Sequence, residues 1–171
     1  MEFFPDATTV RLKGPHGKYL WAQDDHYRTS QHRESRNAKA SWRVERNAEG
    51  SKKTVRLKSC YDAYLTADEH HHHDLSILGF SGKKVVQMHP ENVHSSTQFD
   101  WEPVVEGSVL KLRSCHGTFL RGNSSLPPWC NSVSHDIPRH EKHQSWLHWE
   151  VEIVRVPKTV PLEVLHQGVR M

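Results

Sequence analysis

No segment of this 171-residue chain approaches the roughly 18 consecutive apolar residues that a membrane-crossing helix needs, so no membrane partner is expected. Cysteine is scarce. Cys60, Cys115 and Cys130 form an odd set without framework spacing, which excludes a disulfide scaffold and leaves free thiols as the expectation. The opening Met-Glu-Phe-Phe-Pro-Asp-Ala has no basic region followed by an apolar run. No secretory leader is therefore expected, and an intracellular, cytoplasmic location is. A dominant charge sign is also missing: 23 basic and 20 acidic residues are mixed along the chain for a net +3. That balance lacks the basic stripe of a nucleic-acid-binding surface. Neither a Gly-x-Ser-x-Gly nucleophile turn nor a phosphate-binding loop occurs, and no enzymatic activity or cofactor is expected.

What the chain does contain is histidine, 15 in all, and a repeat. Val10-Arg-Leu-Lys-Gly-Pro-His-Gly-Lys-Tyr-Leu20 aligns without gaps to Val55-Arg-Leu-Lys-Ser-Cys-Tyr-Asp-Ala-Tyr-Leu65 and to Leu110-Lys-Leu-Arg-Ser-Cys-His-Gly-Thr-Phe-Leu120. Each copy later reaches a tryptophan: Trp42, Trp101 and Trp149. Val10 and Leu12 alternate with Arg11 and Lys13, the period of two of a half-buried strand. Gly17 and Gly117 supply a turn residue free to take positive φ, and Asp62, in the same place, tolerates that backbone better than most residues. The following Tyr or Phe with leucine opens the return strand, so each motif predicts a hairpin. Trp149-Glu-Val-Glu-Ile-Val154 alternates again and predicts the last strand of its unit.

One further strand per unit is predicted at Arg28–Arg33, Lys84–His89 and Ser132–Asp136. Four strands in each of three units make about twelve, the count of a single all-β domain of the β-trefoil type. Its expected extent is 1–156, with repeats at about 8–47, 53–106 and 108–155, and 157–171 as a tail. From hairpin leucine to tryptophan the spacing is 22, 36 and 29 residues, so loops vary around constant strands. The candidate helix at Glu34–Ser41 lacks an apolar face.

The three hairpins resemble the repeats of fascin-like β-trefoils. The opening Met1-Glu-Phe-Phe, the segment Leu78-Gly-Phe-Ser-Gly-Lys-Lys-Val-Val-Gln87 and Pro127-Pro-Trp-Cys-Asn-Ser-Val-Ser-His-Asp-Ile-Pro138 are similar to a plant family of uncharacterised domains labelled actin-cross-linking-like. The resemblance covers about Met1 to Val154. It implies a non-catalytic binding module with filamentous actin as partner. Cys130 stands where that family usually has arginine.

Three groups are candidate sites. Trp129, Asn131, His135, Asp136 and Arg139 make the densest aromatic-plus-polar segment and suit a small-ligand or glycan pocket in the 127–140 loop. Asn131, His135 and Asp136 could instead tie that loop down by hydrogen bonds to backbone. A hydrolase triad is not expected there, because adjacent His135 and Asp136 on a strand face opposite ways. Arg11, Lys13, Arg56, Lys58, Lys111 and Arg113 recur on the outward face of each first strand. They are either ordinary exterior charges or, by the resemblance, a surface complementary to acidic actin. The run His70, His71, His72 and His73 is a weak metal candidate, since adjacent histidines hold no fixed geometry. Gln144-Ser-Trp146 occurs once and away from the repeat-aligned tryptophan, so a sugar signature repeated in every unit is absent.

Overall fold

The computed structural model describes residues 4, 8–47, 51–71, 82–124, 129–138 and 141–155; the side chains of His70, His71, Trp129 and Arg155 fall outside that description. The predicted tail at 157–171 and residues His72 and His73 also lie outside it. Twelve strands form among the described residues, four from each repeat. The first repeat supplies β1 (Thr9–Lys13), β2 (Tyr19–Ala22), β3 (Thr29–His32) and β4 (Trp42–Asn47). From the second come β5 (Thr54–Lys58), β6 (Tyr64–His71), β7 (Lys83–Met88) and β8 (Glu102–Glu106). The third provides β9 (Val109–Arg113), β10 (Phe119–Gly122), β11 (Val133–Asp136) and β12 (Glu150–Arg155).

Strands β1, β4, β5, β8, β9 and β12 close a ring. β1 pairs antiparallel with β12 and β4, β4 with β5, and β8 with β9. Single bridges, Val55 to Trp101 and Leu110 to Trp149, complete it. The remaining strands form three hairpins, β2–β3, β6–β7 and β10–β11, that cap one end of the barrel. The cap is knit together by β7 against β11 and by a bridge from Arg28 to Val86. Closure removes the unpaired edges that a lone hairpin would expose.

The repeat pattern explains the core. Val10, Leu12 and Leu20, Val55, Leu57 and Leu65, and Leu110, Leu112 and Leu120 are all 0 % exposed, and so are the three tryptophans. Each indole N–H donates to the carbonyl of its own unit's hairpin leucine: Trp42 to Leu20 at 3.1 Å, Trp101 to Leu65 at 3.0 Å and Trp149 to Leu120 at 3.1 Å. A buried indole thus brings its own polar group's partner with it. The same bond spans loops of very different length, so insertions are absorbed outside the core.

The hairpin turns repeat as faithfully. Gly14, Ser59 and Ser114 amides donate to the carbonyls of Lys18, Ala63 and Thr118 at 2.7–2.8 Å. Gly17 (φ 71°), Asp62 (φ 58°) and Gly117 (φ 77°) all adopt the left-handed backbone, as the alignment of Asp62 with the two glycines predicts. His26 (φ 61°) and Gly107 (φ 61°) adopt it as well, outside these hairpin turns. Where Glu34–Ser41 was a weak helix candidate, a 3-10 turn at Ala38–Ala40 forms, capped by the Asn37 side chain. The cysteines are free, with Cys60 and Cys115 exposed at equivalent turns.

Candidate functional site

At the centre of the cap the three units diverge in side-chain chemistry. Gln31, Gln87 and His135 oppose the hairpin leucines Leu20, Leu65 and Leu120, and none is more than 1 % exposed. Each docks on a backbone carbonyl of the neighbouring unit. Gln31 Nε2 donates to Asn123 and Ser132, Gln87 Nε2 to Gln23, and His135 Nε2 lies 2.6 Å from the Asp68 oxygen. These three side chains staple the caps to one another in a cycle. The carbonyl of Asp68 can only accept, so Nε2 of His135 carries the hydrogen and Nδ1 accepts from Thr118 Oγ1 at 2.6 Å. Burial holds this imidazole down at about 4; the Asp68 bond opposes the effect, and His116 and Lys83 add to it.

Beside this staple lies a cleft of about 470 Å³, open to solvent between β3, β7 and the chain entering β11. The β2–β3 turn contributes Gln23, Tyr27 and Arg28 to it. That turn is held by Asp25, whose carboxylate accepts from the Tyr27 and Arg28 amides at 3.0 and 2.8 Å and from Arg28 Nε at 2.6 Å. Burial raises the Asp25 pKa, but these hydrogen bonds outweigh it and hold the group below its ordinary value. The Gln87 amide donates to the Tyr27 carbonyl at 2.8 Å, which fixes the turn on β7. Lys84 and Val86 of β7 form a second wall, and Asn131 with Ser132 a third. Tyr27 is 42 % exposed, an aromatic ring available to a ligand. Polar groups around one aromatic face suit a hydroxylated small molecule.

A second polar cluster belongs to unit three alone. Arg121 of β10 and Asp136 of β11, both buried, pair at 2.8 Å. The Trp146 ring covers the guanidinium at 4.9 Å and stacks on His143. At the same places unit one carries Trp21 stacked on His32, and unit two Thr66 and Met88. Burial raises the Asp136 pKa while Arg121 opposes the shift. Arg121 Nε and Asp136 Oδ1 have no hydrogen-bond partner among the described residues.

Threefold repetition of strand, turn and indole bond around a closed barrel is the β-trefoil arrangement, and the family comparison agrees. Residues 1–149 match the β-trefoil domain of unknown function, DUF569. The chain belongs to that family. No curated protein matches this DUF569 domain in sequence. Among solved structures it is similar to the SDF2-like protein from Arabidopsis thaliana, at 13 % identity and TM-score 0.68, covering 89 % of this chain and 96 % of that one. The designed threefold-symmetric protein ThreeFoil is similar at 17 % identity and TM-score 0.62, covering 86 % and 99 %. So is a GlcNAcα1-4Gal-releasing endo-β-galactosidase of Clostridium perfringens, at 12 % identity and TM-score 0.59, with 86 % of this chain covered but 33 % of the enzyme. At such identities the likeness is one of fold.

The residues singled out from the DUF569 sequence do not converge. Asn131 lies in the cleft wall, where its Oδ1 accepts from Lys18 Nζ at 2.7 Å. His135 is locked in the staple, and Asp136 in the pair with Arg121. Their partners differ, as adjacent strand positions require, but all four residues of β11 are buried, so neither face of that strand meets solvent. Of the backbone hydrogen bonds expected of these three residues, His135 makes one, to Asp68, whereas Asn131 and Asp136 are held by the Lys18 and Arg121 side chains. Arg139 and the Trp129 side chain lie outside the described residues.

On the barrel exterior, Arg56 pairs with Asp100, Lys58 with Glu45, Lys111 with Glu106 and Arg113 with Glu102. Arg11 and Lys13 make no ion pair among the described residues. His70 and His71 belong to β6 by backbone, and no group of three or more potential metal ligands occurs among the described residues. Tyr27, Arg28 and Lys84 were missed as cleft residues. No local pattern marks them, because the cleft joins three segments that lie far apart along the chain, one in each repeat.

Proposed function

We propose that this domain is a non-catalytic module that binds a small hydroxylated ligand, in the first instance a carbohydrate, in the cleft between β3, β7 and Ser132. The observation that carries the reading is the cleft itself: about 470 Å³ of open space with the Tyr27 ring and side chains of Gln23, Ser30 and Asn131 around it. Sugars are recognised by an aromatic surface beneath their C–H face and hydrogen-bonding groups at its rim. The glycan-releasing activity in the name of a similar trefoil-containing enzyme supports the same ligand class. The test is a glycan array followed by calorimetric titration of any hit. Tyr27→Ala should weaken binding about tenfold, as expected for loss of a stacked aromatic and its buried area. A hit whose affinity survives both Tyr27→Ala and Asn131→Ala binds elsewhere, and the cleft reading is then wrong.

Filamentous actin is the second reading, implied by the resemblance to fascin-type trefoils. The recurring basic residues favour it only in part. Four of the six share their charge with neighbouring carboxylates, while Arg11 and Lys13 remain without an ion pair among the described residues. Cross-linking would also need two filament sites, on two faces or in a dimer. Co-sedimentation with filaments at two salt concentrations decides it: pelleting no greater than the protein-alone control removes actin as a partner.

A further inference from the structure

We infer that the ligand of the cleft is anionic, a sugar carrying a carboxylate that Lys84 and Arg28 receive. This rests on the cleft reading above and narrows it to a ligand class. The described wall residues include Arg28, Lys84 and His32 but no aspartate or glutamate. The chain as a whole is nearly balanced, with 23 basic and 20 acidic residues, so the imbalance is local to the cleft.

The buried Gln31 Oε1 aside, the groups there that matter for an anion are donors. Asn131 turns its Oδ1 to Lys18 Nζ, which can only donate, so the amide orientation follows from chemistry and the Nδ2 hydrogens stay free. Lys84 makes no ion pair among the described residues. Arg28 is bound to Asp25 through Nε alone, which orients the guanidinium and leaves both Nη groups uncommitted; its side chain is 73 % exposed. Arg28 also faces Val86 across an antiparallel bridge, two residues along β7 from Lys84, so both cations border the same stretch of strand. Three acids stand close by but outside the wall: Asp25 is held behind Arg28, Asp24 also acts on Arg28, and Asp68 acts on Tyr27. A carboxylate offers the acceptor oxygens and the charge that such a set lacks, and guanidinium and ammonium donors to a carboxylate are the stronger kind of hydrogen bond. The neutral hydroxyls of the same sugar would meet Gln23 and Ser30, and its C–H face Tyr27.

The experiment is a titration of the full chain with a uronic-acid trimer and with sialyllactose, each against its methyl ester, followed by amide shifts and calorimetry. Esterification removes the charge and little else. The acid of one pair should bind about tenfold more tightly than its ester, the margin expected of one charge-assisted contact. That margin should shrink as salt rises from about 0.05 to about 0.5 M. Lys84→Gln and Arg28→Gln, both at solvent-accessible positions, should each bring acid and ester closer together. Shifts at the cleft with equal affinity for acid and ester would overturn the anionic inference and leave the cleft standing. Cleft residues unmoved by all four compounds would overturn both.

Discussion

His135 Nε2 lies 2.6 Å from the Asp68 carbonyl oxygen, occupying the place where the other two units dock a glutamine amide on their neighbours. An amide cannot titrate at ordinary pH, whereas an imidazole can. The unfolded chain takes up this proton near 6.5, the folded one only at about 4. Between those values the unfolded state binds more protons, so stability falls as pH drops from 6.5 to 4 and is unaffected by this group above that window. The full effect is on the order of 3 kcal/mol. Urea midpoints at pH 7, 5.5 and 4.5 should show a steep acid loss in the natural protein and a much shallower one in His135→Gln. Identical slopes in the two proteins would remove His135 as the source.

Gln31 carries a buried Oε1 without a partner among the described residues, and the repeat says why. In unit two the equivalent Gln87 Oε1 accepts from the Ser59 hydroxyl at 2.7 Å, but unit one has Gly14 where that serine stands. Gly14→Ser would supply the missing donor. Its Cβ would sit 3.3 Å from Gln31 Oε1 and 3.2 Å from the Trp149 ring, a tight fit. We expect a gain of about 1 kcal/mol in denaturant unfolding, the net worth of one buried hydrogen bond. A loss instead would mean that the Trp149 edge cannot yield.

Gly122 makes the opposite case. A Cβ there would meet Gln31 Oε1 at 2.7 Å and its Cδ at 3.1 Å, closer than carbon normally comes. The equivalent Ala22 and Ala67 are buried alanines, so glycine in unit three reflects the approach of Gln31. Gly122→Ala is expected to cost about 1–3 kcal/mol through overpacking. Combined with Gln31→Ala the penalty should largely vanish, and a penalty that persists would place its cause in the backbone.

The Arg121–Asp136 pair sits where the other units use aromatic or neutral side chains. Asp136→Ala strands a buried guanidinium and should cost about 3–5 kcal/mol, whereas replacing both residues by leucine should recover most of that loss. Chemical denaturation of Arg121→Leu, Asp136→Leu and the double leucine variant gives the coupling directly. Additive losses would show that the pair contributes little as a pair.

Much of the fold is legible in the sequence because it repeats. The alternation Val10-x-Leu12, its two copies and the three tryptophans predict which side chains are buried, and Asp62 predicts its own backbone from alignment with two glycines. The third strands are legible too: Arg28–Arg33, Lys84–His89 and Ser132–Asp136 coincide with β3, β7 and β11 to within a residue or two at their ends. Local hydrophobic period and turn chemistry suffice for these, since each unit's hairpin and indole bond lie within one repeat.

The site is a different matter. The sequence marks Asn131, His135 and Asp136 as a polar cluster by proximity alone, and folding sends them to three separate partners: Lys18, Asp68 and Arg121. Tyr27, Lys84 and Asn131 meet only because the cap hairpins of three units close around one axis. The sequence by itself determined the repeat, its strands and its core, because burial and turn geometry are properties of short segments. Which polar groups are spent on holding the units together, and which remain free to face a ligand, only the tertiary structure decided, because hydrogen bonds between units join residues that no local pattern connects.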